Sequence, residues 1–223
     1  MNSVPILYED KEIYVINKPA GLSVQGGQGV KHSLDEDFAS QTGQKVYLVH
    51  RLDKDTAGLM VVAKSPAAAS KWTKLVGGKE VRKEYIAVCA SENEVSFPKK
   101  GVISEEIIQH GQKKKAVTEY EVEKKWREEA ILAAENEDEK AAFNFYKIRL
   151  KLQTGRMHQI RIHLAKSGLP IAGDDQHGNF KLNKKLKKTF KIKQLLLASV
   201  KLTLPDGRFF EIDLPQHMIF AKD

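Results

Sequence analysis

The segment that decides the fold, residues 50–58, reads His50-Arg51-Leu52-Asp53-Lys54-Asp55-Thr56-Ala57-Gly58. It lies between two short apolar runs, at 46–49 and 58–63, whose composition favours β-strands. Rigid strands on either side make such a polar loop a common location for catalytic groups. Asp53 stands close to Arg51 in this loop, and a nearby cation favours the ionised carboxylate that can act as nucleophile or base. The alternative is that the acidic and hydroxyl side chains of the loop only bond the backbone of their own turn.

Strand patterns outnumber helix patterns in the rest of the chain. Capping and stop signals predict helices at 34–42, 66–75 and about 157–166. Runs of β-forming residues predict strands at 6–8, 12–16, 84–89, 117–122 and 145–152, and a hairpin at 195–204 and 209–214. Several of these strands are near neighbours in sequence, so we expect an α+β fold with a mostly antiparallel mixed sheet flanked by helices and loops.

The composition excludes several classes of protein. The 223 residues are 41% hydrophobic and 30% charged, which allows a sizeable core and excludes a disordered tail. A membrane helix needs about 20 consecutive apolar residues, and the longest apolar runs, such as 59–63, are far shorter. No basic and apolar leader opens the sequence, so we expect no secretory route and a cytoplasmic location. The single cysteine, Cys89, fits a reduced compartment and is expected to be a small buried hydrophobe.

The charge is unevenly distributed around a net value of +8. The basic segment 181–193 contains seven lysines and no acid, and Lys113, Lys114 and Lys115 form a second cluster. The segment is either a solvated loop or helix face, or a footprint for a polyanion such as a nucleic acid. Residues 127–142 form an acidic, alanine-rich excursion, for which we expect an exposed position, some helical tendency and no catalytic role.

The predicted helix at about 157–166 presents an arginine beside its apolar face. Met157, Ile160 and Leu164 mark the expected buried stripe, and Arg161 lies next to it. A buried guanidinium is costly unless it is paired, so an ionised Asp from another segment is the expected partner. Arg156 is a second candidate, and the alternative for Arg161 is an exposed side chain with a buried stem.

Tyr85 lies on the predicted strand 84–89, on the same side as Lys83. Its ring either fills core space or stacks on a substrate base while its hydroxyl takes part in proton transfer. Metal or cofactor binding is not expected. His158 and His163 are five residues apart rather than the four that place two imidazoles on one helical face, and the glycines of 26–29 lack the lysine of a phosphate-binding loop.

The segment at 50–58 closely resembles the H-R-L-D-x-x-T-S-G signature of the RluA-type RNA pseudouridine synthases. Four further segments resemble marks of this family and occur in the family's order, so that the resemblance covers nearly the whole chain. They are Asn17-Lys18-Pro19-Ala20-Gly21-Leu22, Lys83-Glu84-Tyr85-Ile86-Ala87, the segment from Gly155-Arg156-Met157-His158-Gln159 to Ile160-Arg161-Ile162-His163, and Gly168-Leu169-Pro170-Ile171 with Gly173-Asp174.

The chain departs from the family pattern at a few positions. Ala57 replaces a usual Ser, His177 a usual Tyr before Gly178, and Leu197 the His of a common His-Ala pair. The sequence also begins directly at the catalytic fold, without the S4-type RNA-binding module of many relatives. We therefore expect one catalytic domain over 1–223 and RNA affinity from that domain itself, which gives 181–193 more weight as a footprint.

The resemblance implies isomerisation of uridine to pseudouridine in a ribosomal or transfer RNA stem-loop, by a monomer without cofactor or metal, in a cleft across the sheet. Asp53 is then the essential carboxylate, Arg161 holds it ionised, and Tyr85 stacks on the extruded uracil. Substrate-binding roles fall to Arg51, His50, Thr56, Lys83, Arg156, His158 and Gln159, and RNA-backbone contacts to Lys184, Lys185, Lys187 and Lys188. The alternatives are a non-catalytic RNA-binding relative, and a hydrolase that pairs Asp53 with Asp55 or Asp174.

Overall fold

The computed structural model describes residues 3–219 except 28, 30, 110 and 133–138. The first half of the chain forms, in order, β1 (Ile6–Glu9), β2 (Ile13–Lys18), α1 (Leu34–Thr42), β3 (Tyr47–Leu48), β4 (Ala57–Ala63), α2 (Pro66–Gly77), β5 (Arg82–Ser91) and β6 (Lys100–Gln109). The second half forms β7 (Gln112–Leu132), β8 (Glu139–Leu152), α3 (Gln159–Lys166), α4 (Phe180–Thr189), β9 (Leu197–Thr203) and β10 (Phe209–Glu211).

The chain divides into two compact units. The first unit comprises Met1–Glu84 and Ala198–Pro215, and the second comprises Tyr85–Leu197 and Gln216–Asp223. The boundary falls inside strands β5 and β9. A single catalytic domain over 1–223 stays a prediction.

The first unit is a sheet with the strand order β1-β2-β4-β9, with β3 paired to β4 and β10 to β9. The pairing of β4 with β9 is parallel and the other pairings of this unit are antiparallel. Every residue of β4 is buried, as expected for a strand with neighbours on both sides. The core of this unit includes Ile13, Val15, Leu59, Val61, Trp72 and Leu202.

Helix α1 begins and ends where the sequence predicts, and α2 begins as predicted but ends at Gly77, two residues later than expected. Ser65 accepts a 3.2 Å hydrogen bond from the backbone N–H of Ala68 at the start of α2, and Pro66 occupies the first turn. Gly43 ends α1 in the left-handed conformation, with φ of 67°. Residues next to the helix ends therefore specify where α1 ends and where α2 begins.

The second unit contains the strand order β5-β8-β7-β6 and the helices α3 and α4. The pairings of β6 with β7 and of β7 with β8 are antiparallel, so the expected α+β fold with a mostly antiparallel mixed sheet is confirmed. Strand β6 has no counterpart among the predicted elements. Its buried residues, Ile103 and Ile107, are separated by three exposed residues, and the apolar Val102 and Ile108 are exposed, so the sequence shows no simple alternation.

The helical tendency expected for the acidic excursion 127–142 is wrong where the structure describes it. Residues 127–132 extend β7 and pair with residues 139–144 of β8, whereas 133–138 lie outside the described residues. The ribbon is stabilised by ladder hydrogen bonds and by Trp126, which stacks on Phe145 with ring centroids 5.3 Å apart. Cross-strand pairing therefore overrides the helix propensity of alanine and glutamate.

Helices form both in the basic segment 181–193 and in the region predicted to be helical at 157–166. Residues 180–189 form helix α4, which buries Leu182, Asn183 and Leu186 and carries its lysines on the opposite side. Helix α3 begins only at Gln159, because His158 has a φ of 55°. Met157 is 54% exposed, so its place in the expected buried stripe is wrong, whereas Ile160 and Leu164 are buried as expected.

No helix in the described part of the chain is both long and apolar enough to span a bilayer.

Candidate active site

The loop that carries Asp53 is fixed to a neighbouring loop by its backbone. The oxygen of Lys54 accepts hydrogen bonds of 2.9 Å from Lys18 Nζ and 2.9 Å from the N–H of Gly21. The N–H of Thr56 donates a 3.1 Å hydrogen bond to the oxygen of Asp53 and closes the turn. Since the backbone from Asp53 to Thr56 is held by these hydrogen bonds, the direction of the Asp53 side chain is restricted.

Lys18 is the functional candidate that sequence reasoning missed. The side chain is fully buried at the end of β2, and its ammonium also donates hydrogen bonds of 2.8 Å to the oxygen of Pro19 and 2.9 Å to that of Leu22. Burial lowers the pKa of Lys18 to about 8, in opposition to the carboxylates of Asp55 and Asp53, which raise it. The available signal in the sequence was a lysine two residues after the apolar run 13–16, with only Asn17 between them.

The sequence suggests Arg51 as the cation near Asp53. In the structure, a buried cation near Asp53 is the ammonium of Lys18. The charges of Asp55 and Asp53 both act on the Lys18 ammonium, so this cation lies close enough to Asp53 to interact with it electrostatically. Arg51 is exposed, Asp53 is half-buried and Thr56 is buried. Arg51 is therefore placed to reach a ligand outside the loop, and Thr56 to support the loop from within.

His50 attaches the start of the loop to strand β4. Its Nε2 accepts a 3.1 Å hydrogen bond from the N–H of Val61, which requires that nitrogen to be unprotonated. Burial lowers the pKa of His50 well below its usual value, and the positive charge of Lys83 lowers it further. His50 is therefore neutral near pH 7 and has a structural role at Nε2.

Lys83, predicted to bind substrate, lies half-buried on β5 in the first unit. Burial lowers its pKa to about 8. The lowered pKa reflects the loss of water around the ammonium on burial. An anionic ligand at this position would stabilise the charged form of Lys83.

The end of the loop depends on a glycine. Gly58, the second residue of β4, has a φ of 113°, and a Cβ atom there would lie 2.2 Å from the backbone oxygen of Ser199. The parallel pairing with β9 at this point therefore requires glycine. This close approach holds the carboxyl end of the loop against β9.

In the second unit, Arg161 is buried and forms a bidentate ion pair with Asp174. Its Nε donates a 2.8 Å hydrogen bond to Asp174 Oδ2, and the second guanidinium nitrogen donates one of 2.6 Å to Oδ1 and one of 3.2 Å to Gln176 Oε1. The sequence predicts an ionised Asp from another segment as the partner of Arg161, and Asp174 is such a partner. The predicted pairing of Arg161 with Asp53 joins residues of separate units and stays a prediction.

Asp174 is committed to this structural pair. Burial by itself raises the pKa of Asp174, but hydrogen bonds from Arg161 and from the backbone N–H groups of His177 and Gln176 outweigh burial and lower the pKa below its usual value. A carboxylate with so many donors is poorly suited to be the second acid of a hydrolase.

Gln159 connects the start of α3 to strand β7. Its Oε1 accepts hydrogen bonds from the Thr154 hydroxyl, 2.7 Å, and the Arg156 N–H, 3.0 Å. Its Nε2 donates to Val117 O, 3.0 Å, and Thr118 Oγ1, 2.9 Å. These bonds use the full capacity of the amide, which favours a structural role over the predicted substrate contact.

Arg156 and His158 lie at the surface end of the same turn. Arg156 is half-buried, and its Nε donates a 3.3 Å hydrogen bond to the oxygen of Lys115. His158 Nδ1 lies 2.8 Å from His177 Nε2, so one imidazole donates a hydrogen bond to the other. His177 thus makes a side-chain contact at the position where the family usually has tyrosine.

Tyr85 is buried on β5 as the first residue of the second unit. Its burial agrees with both expected roles, a ring that fills core space and a ring held in a fixed orientation for stacking. The convergence of Asp53, Tyr85 and Arg161 on one substrate stays a prediction.

The predicted RNA-backbone lysines all lie on α4. Lys184, Lys187 and Lys188 are exposed, whereas Lys185 is half-buried and forms an ion pair with Glu92. The first three are therefore better placed than Lys185 to contact phosphates.

Cys89 is fully buried, and burial raises the pKa of its thiol, so the expected small buried hydrophobe is confirmed. Within the described residues, no three or more His, Cys, Asp or Glu side chains are grouped to hold a metal ion.

Comparisons with known proteins agree with the resemblance. The RNA pseudouridylate synthase family model matches residues 12–166. The chain is 34% identical over 189 residues to ribosomal large subunit pseudouridine synthase D of Xylella fastidiosa, which covers 78% of this chain and 51% of that protein. It is 31% identical over 232 residues to ribosomal large subunit pseudouridine synthase C of Buchnera aphidicola subsp. Schizaphis graminum, with 97% and 68% covered. The chain thus spans about half to two thirds of the length of these relatives.

Solved structures resemble the chain over nearly its full length. Human RNA Pseudouridylate Synthase Domain Containing 4 matches with a TM-score of 0.71 and 26% identity, over 97% of this chain and 90% of that one. Human RNA Pseudouridylate Synthase Domain Containing 1, at 22% identity, matches with a TM-score of 0.69 over 96% and 84% and supports the fold alone.

Proposed function

The chain belongs to the RNA pseudouridylate synthase family, and from this premise we propose that it isomerises uridine to pseudouridine in RNA. The N1–C1′ bond of the uridine breaks, the uracil turns, and a C5–C1′ bond forms. The proton on C5 is removed and N1 gains one, so the RNA mass does not change. The observation that carries the proposal is Asp53, presented on a loop fixed by the buried ammonium of Lys18.

Asp53 is the proposed essential carboxylate. It attacks C1′ of the sugar, attacks C6 of the base, or assists formation of a glycal. A carboxylate near an anomeric carbon is chemically reasonable, because glycosidases use the same group to stabilise or trap an oxocarbenium-like centre. Lys18 supports each route, because its ammonium holds the backbone of the loop that presents Asp53.

Arg161 and Tyr85 are the proposed partners of Asp53 on the extruded nucleoside. The hydrogen bonds to Asp174 fix the plane of the Arg161 guanidinium. A fixed plane is an advantage for a guanidinium that also has to orient the carboxylate of Asp53. Tyr85 stacks on the uracil, and a role in removing the C5 proton requires assistance because free phenol titrates near pH 10.

The proposed substrate is a stem-loop of RNA, and the names of the bacterial relatives favour ribosomal RNA of the large subunit over transfer RNA. The target uridine has to leave its stack at a cost of about a few kcal/mol, which an unpaired position reduces. Arg51 is exposed in the same loop as Asp53 and occupies or braces the vacated space. A monomeric state and a cytoplasmic location complete the proposal.

Release of tritium from RNA labelled at uracil C5 tests the activity. The wild type is expected to release tritium and to leave the RNA mass unchanged, and Asp53→Asn is expected to lower the rate by at least about 10²-fold. Asp55→Asn, an exposed neighbour in the same loop, serves as the matched control and is expected to retain most of the rate.

Two outcomes would decide against the proposal. RNA binding without tritium release by the wild type would identify a non-catalytic relative. Free uracil and an abasic product in mass spectrometry would identify a hydrolase.

A further inference from the structure

Phe180, the first residue of α4, is 75% exposed, more than any other large hydrophobic side chain in the described residues. Helix α4 buries Leu182, Asn183 and Leu186 and turns its other side outward. The exposed ring of Phe180 adds little buried apolar area to the folded chain. Folding stability therefore does not explain a phenylalanine at this position.

The surroundings of Phe180 on the helix are strongly basic. At 3.6 residues per turn, Lys184, Lys187 and Lys188 follow Phe180 on the same side, about 6 to 12 Å along the axis. All three lysines are exposed, and the sequence from 178 to 194 contains no acidic residue. The ring therefore stands at one end of a stripe of positive charge, which we call the α4 stripe.

We propose that Phe180 is a stacking platform for an unpaired RNA base, with the lysines of the α4 stripe bound to the flanking phosphates. Proteins that bind single-stranded nucleic acid combine a basic track with aromatic rings on which bases stack. The proposal rests on the proposed function in one respect, which is that RNA is the ligand.

The charge of the stripe favours a nucleotide over an apolar protein partner. An apolar surface placed on Phe180 would have to exclude water from the neighbouring ammonium groups without offering them an acceptor, which is unfavourable. A nucleotide presents a flat ring to Phe180 and anionic oxygens to Lys184, Lys187 and Lys188 at once.

Binding of the full chain to a fluorescent single-stranded RNA oligonucleotide tests the platform, with an abasic oligonucleotide of the same length as the second ligand. Phe180→Ala is expected to weaken binding of the RNA about fivefold or more and to leave binding of the abasic chain unchanged. Phe180→Trp keeps an aromatic surface and is expected to preserve binding. Phe209→Ala is the matched control, because Phe209 is 59% exposed on β10 in the first unit.

Each result has a distinct meaning. Equal RNA affinities of Phe180→Ala and the wild type, or an equal loss on the abasic chain, would overturn the platform even if the wild type makes pseudouridine. Loss of base-dependent binding in Phe180→Ala, together with a wild type that makes no pseudouridine, would support the platform and overturn the proposed function. The exposed position of Phe180 keeps both variants testable, because the core of α4 is untouched.

Discussion

The buried ammonium of Lys18 donates a 2.9 Å hydrogen bond to the backbone oxygen of Lys54, the residue that follows Asp53. This contact joins two segments that are 36 residues apart in the sequence. It combines two effects in one side chain, since Lys18 fixes the backbone of the loop and also places a positive charge near Asp53.

Replacing Lys18 by Met is expected to destabilise the chain by about 2–5 kcal/mol, because the backbone oxygens of Pro19, Leu22 and Lys54 each lose a hydrogen bond from the buried ammonium. Urea unfolding at pH 7 measures this loss, and trypsin cleavage after Arg51 and Lys54 in native buffer measures local opening of the loop. Lys71→Met is the control, since the exposed Lys71 pairs with Glu12 at 2.8 Å and such pairs contribute about 0–1 kcal/mol. Equal losses in the two variants would contradict the proposed role of Lys18.

The pKa of Lys18 predicts how the difference in unfolding free energy between the wild type and Lys18→Met changes with pH. The pKa is lowered from 10.5 to about 8 in the folded chain. Below pH 8 both states carry the proton and the folded chain bears the full cost of the buried charge. Between about 8 and 10.5 the unfolded chain binds more protons, so the stability contributed by this group rises with pH. The free-energy difference between the wild type and Lys18→Met is expected to grow from pH 7.5 to 9.5, and a constant difference would refute the assignment.

Asp174→Asn is expected to cost about 3–5 kcal/mol at pH 7, because it leaves the buried guanidinium of Arg161 without its carboxylate. The folded-state pKa of Asp174 lies below its usual value of 3.8, so its contribution is fully present above that pH and is lost as the pH falls through the folded-state pKa. Denaturation at pH 7, 5 and 3 should show the two proteins converging only in the most acidic sample. Glu211→Gln, which breaks the exposed pair with Lys201 at 3.1 Å, should change stability by at most about 1 kcal/mol.

Gly58→Ala is expected to prevent folding or to cost more than about 3 kcal/mol, since it combines a φ of 113° with a Cβ that would lie 2.2 Å from Ser199 O. Gly77→Ala provides the comparison, because a Cβ added at Gly77 would meet no atom within 4 Å and its φ is not in the left-handed region. This second variant should be neutral or slightly stabilising. Soluble yield and the urea midpoint measure both, and a well-folded Gly58→Ala would show that β4 and β9 tolerate wider separation.

Replacing Lys184, Lys187 and Lys188 together by Gln is expected to weaken RNA binding and to flatten its salt dependence, by about 0.7–0.9 in slope for each phosphate that is no longer neutralised. Lys185→Gln should have a smaller effect, because Glu92 already binds that ammonium. The control replaces three exposed lysines of the first unit, Lys11, Lys45 and Lys79. A slope unchanged in the α4 triple variant would restore the interpretation of 181–193 as a solvated helix face.

Patterns confined to a few residues predict the structure correctly. Helix α1 begins and ends as predicted because its stop signal, Gly43, acts through local backbone geometry. The prediction for the ends of β7 and β8 is wrong, since the propensity of an alanine- and glutamate-rich segment is weaker than the ladder formed with a distant strand. Helix α3 starts late because His158 adopts a left-handed φ, which no local pattern indicates.

Residue identity and short-range periodicity are sufficient for the family signature, the polar loop at 50–58, the basic character of 181–193 and the strand-rich class, so the sequence gives these features without a structure. Only the tertiary structure decided that Lys18 holds the Asp53 loop, that Asp174 is a partner of Arg161, and that the Gln159 amide is fully used within the fold. The physical reason is that a buried polar group has to find its partner in space, and the partner's place in the sequence is set by the folded chain rather than by its neighbours.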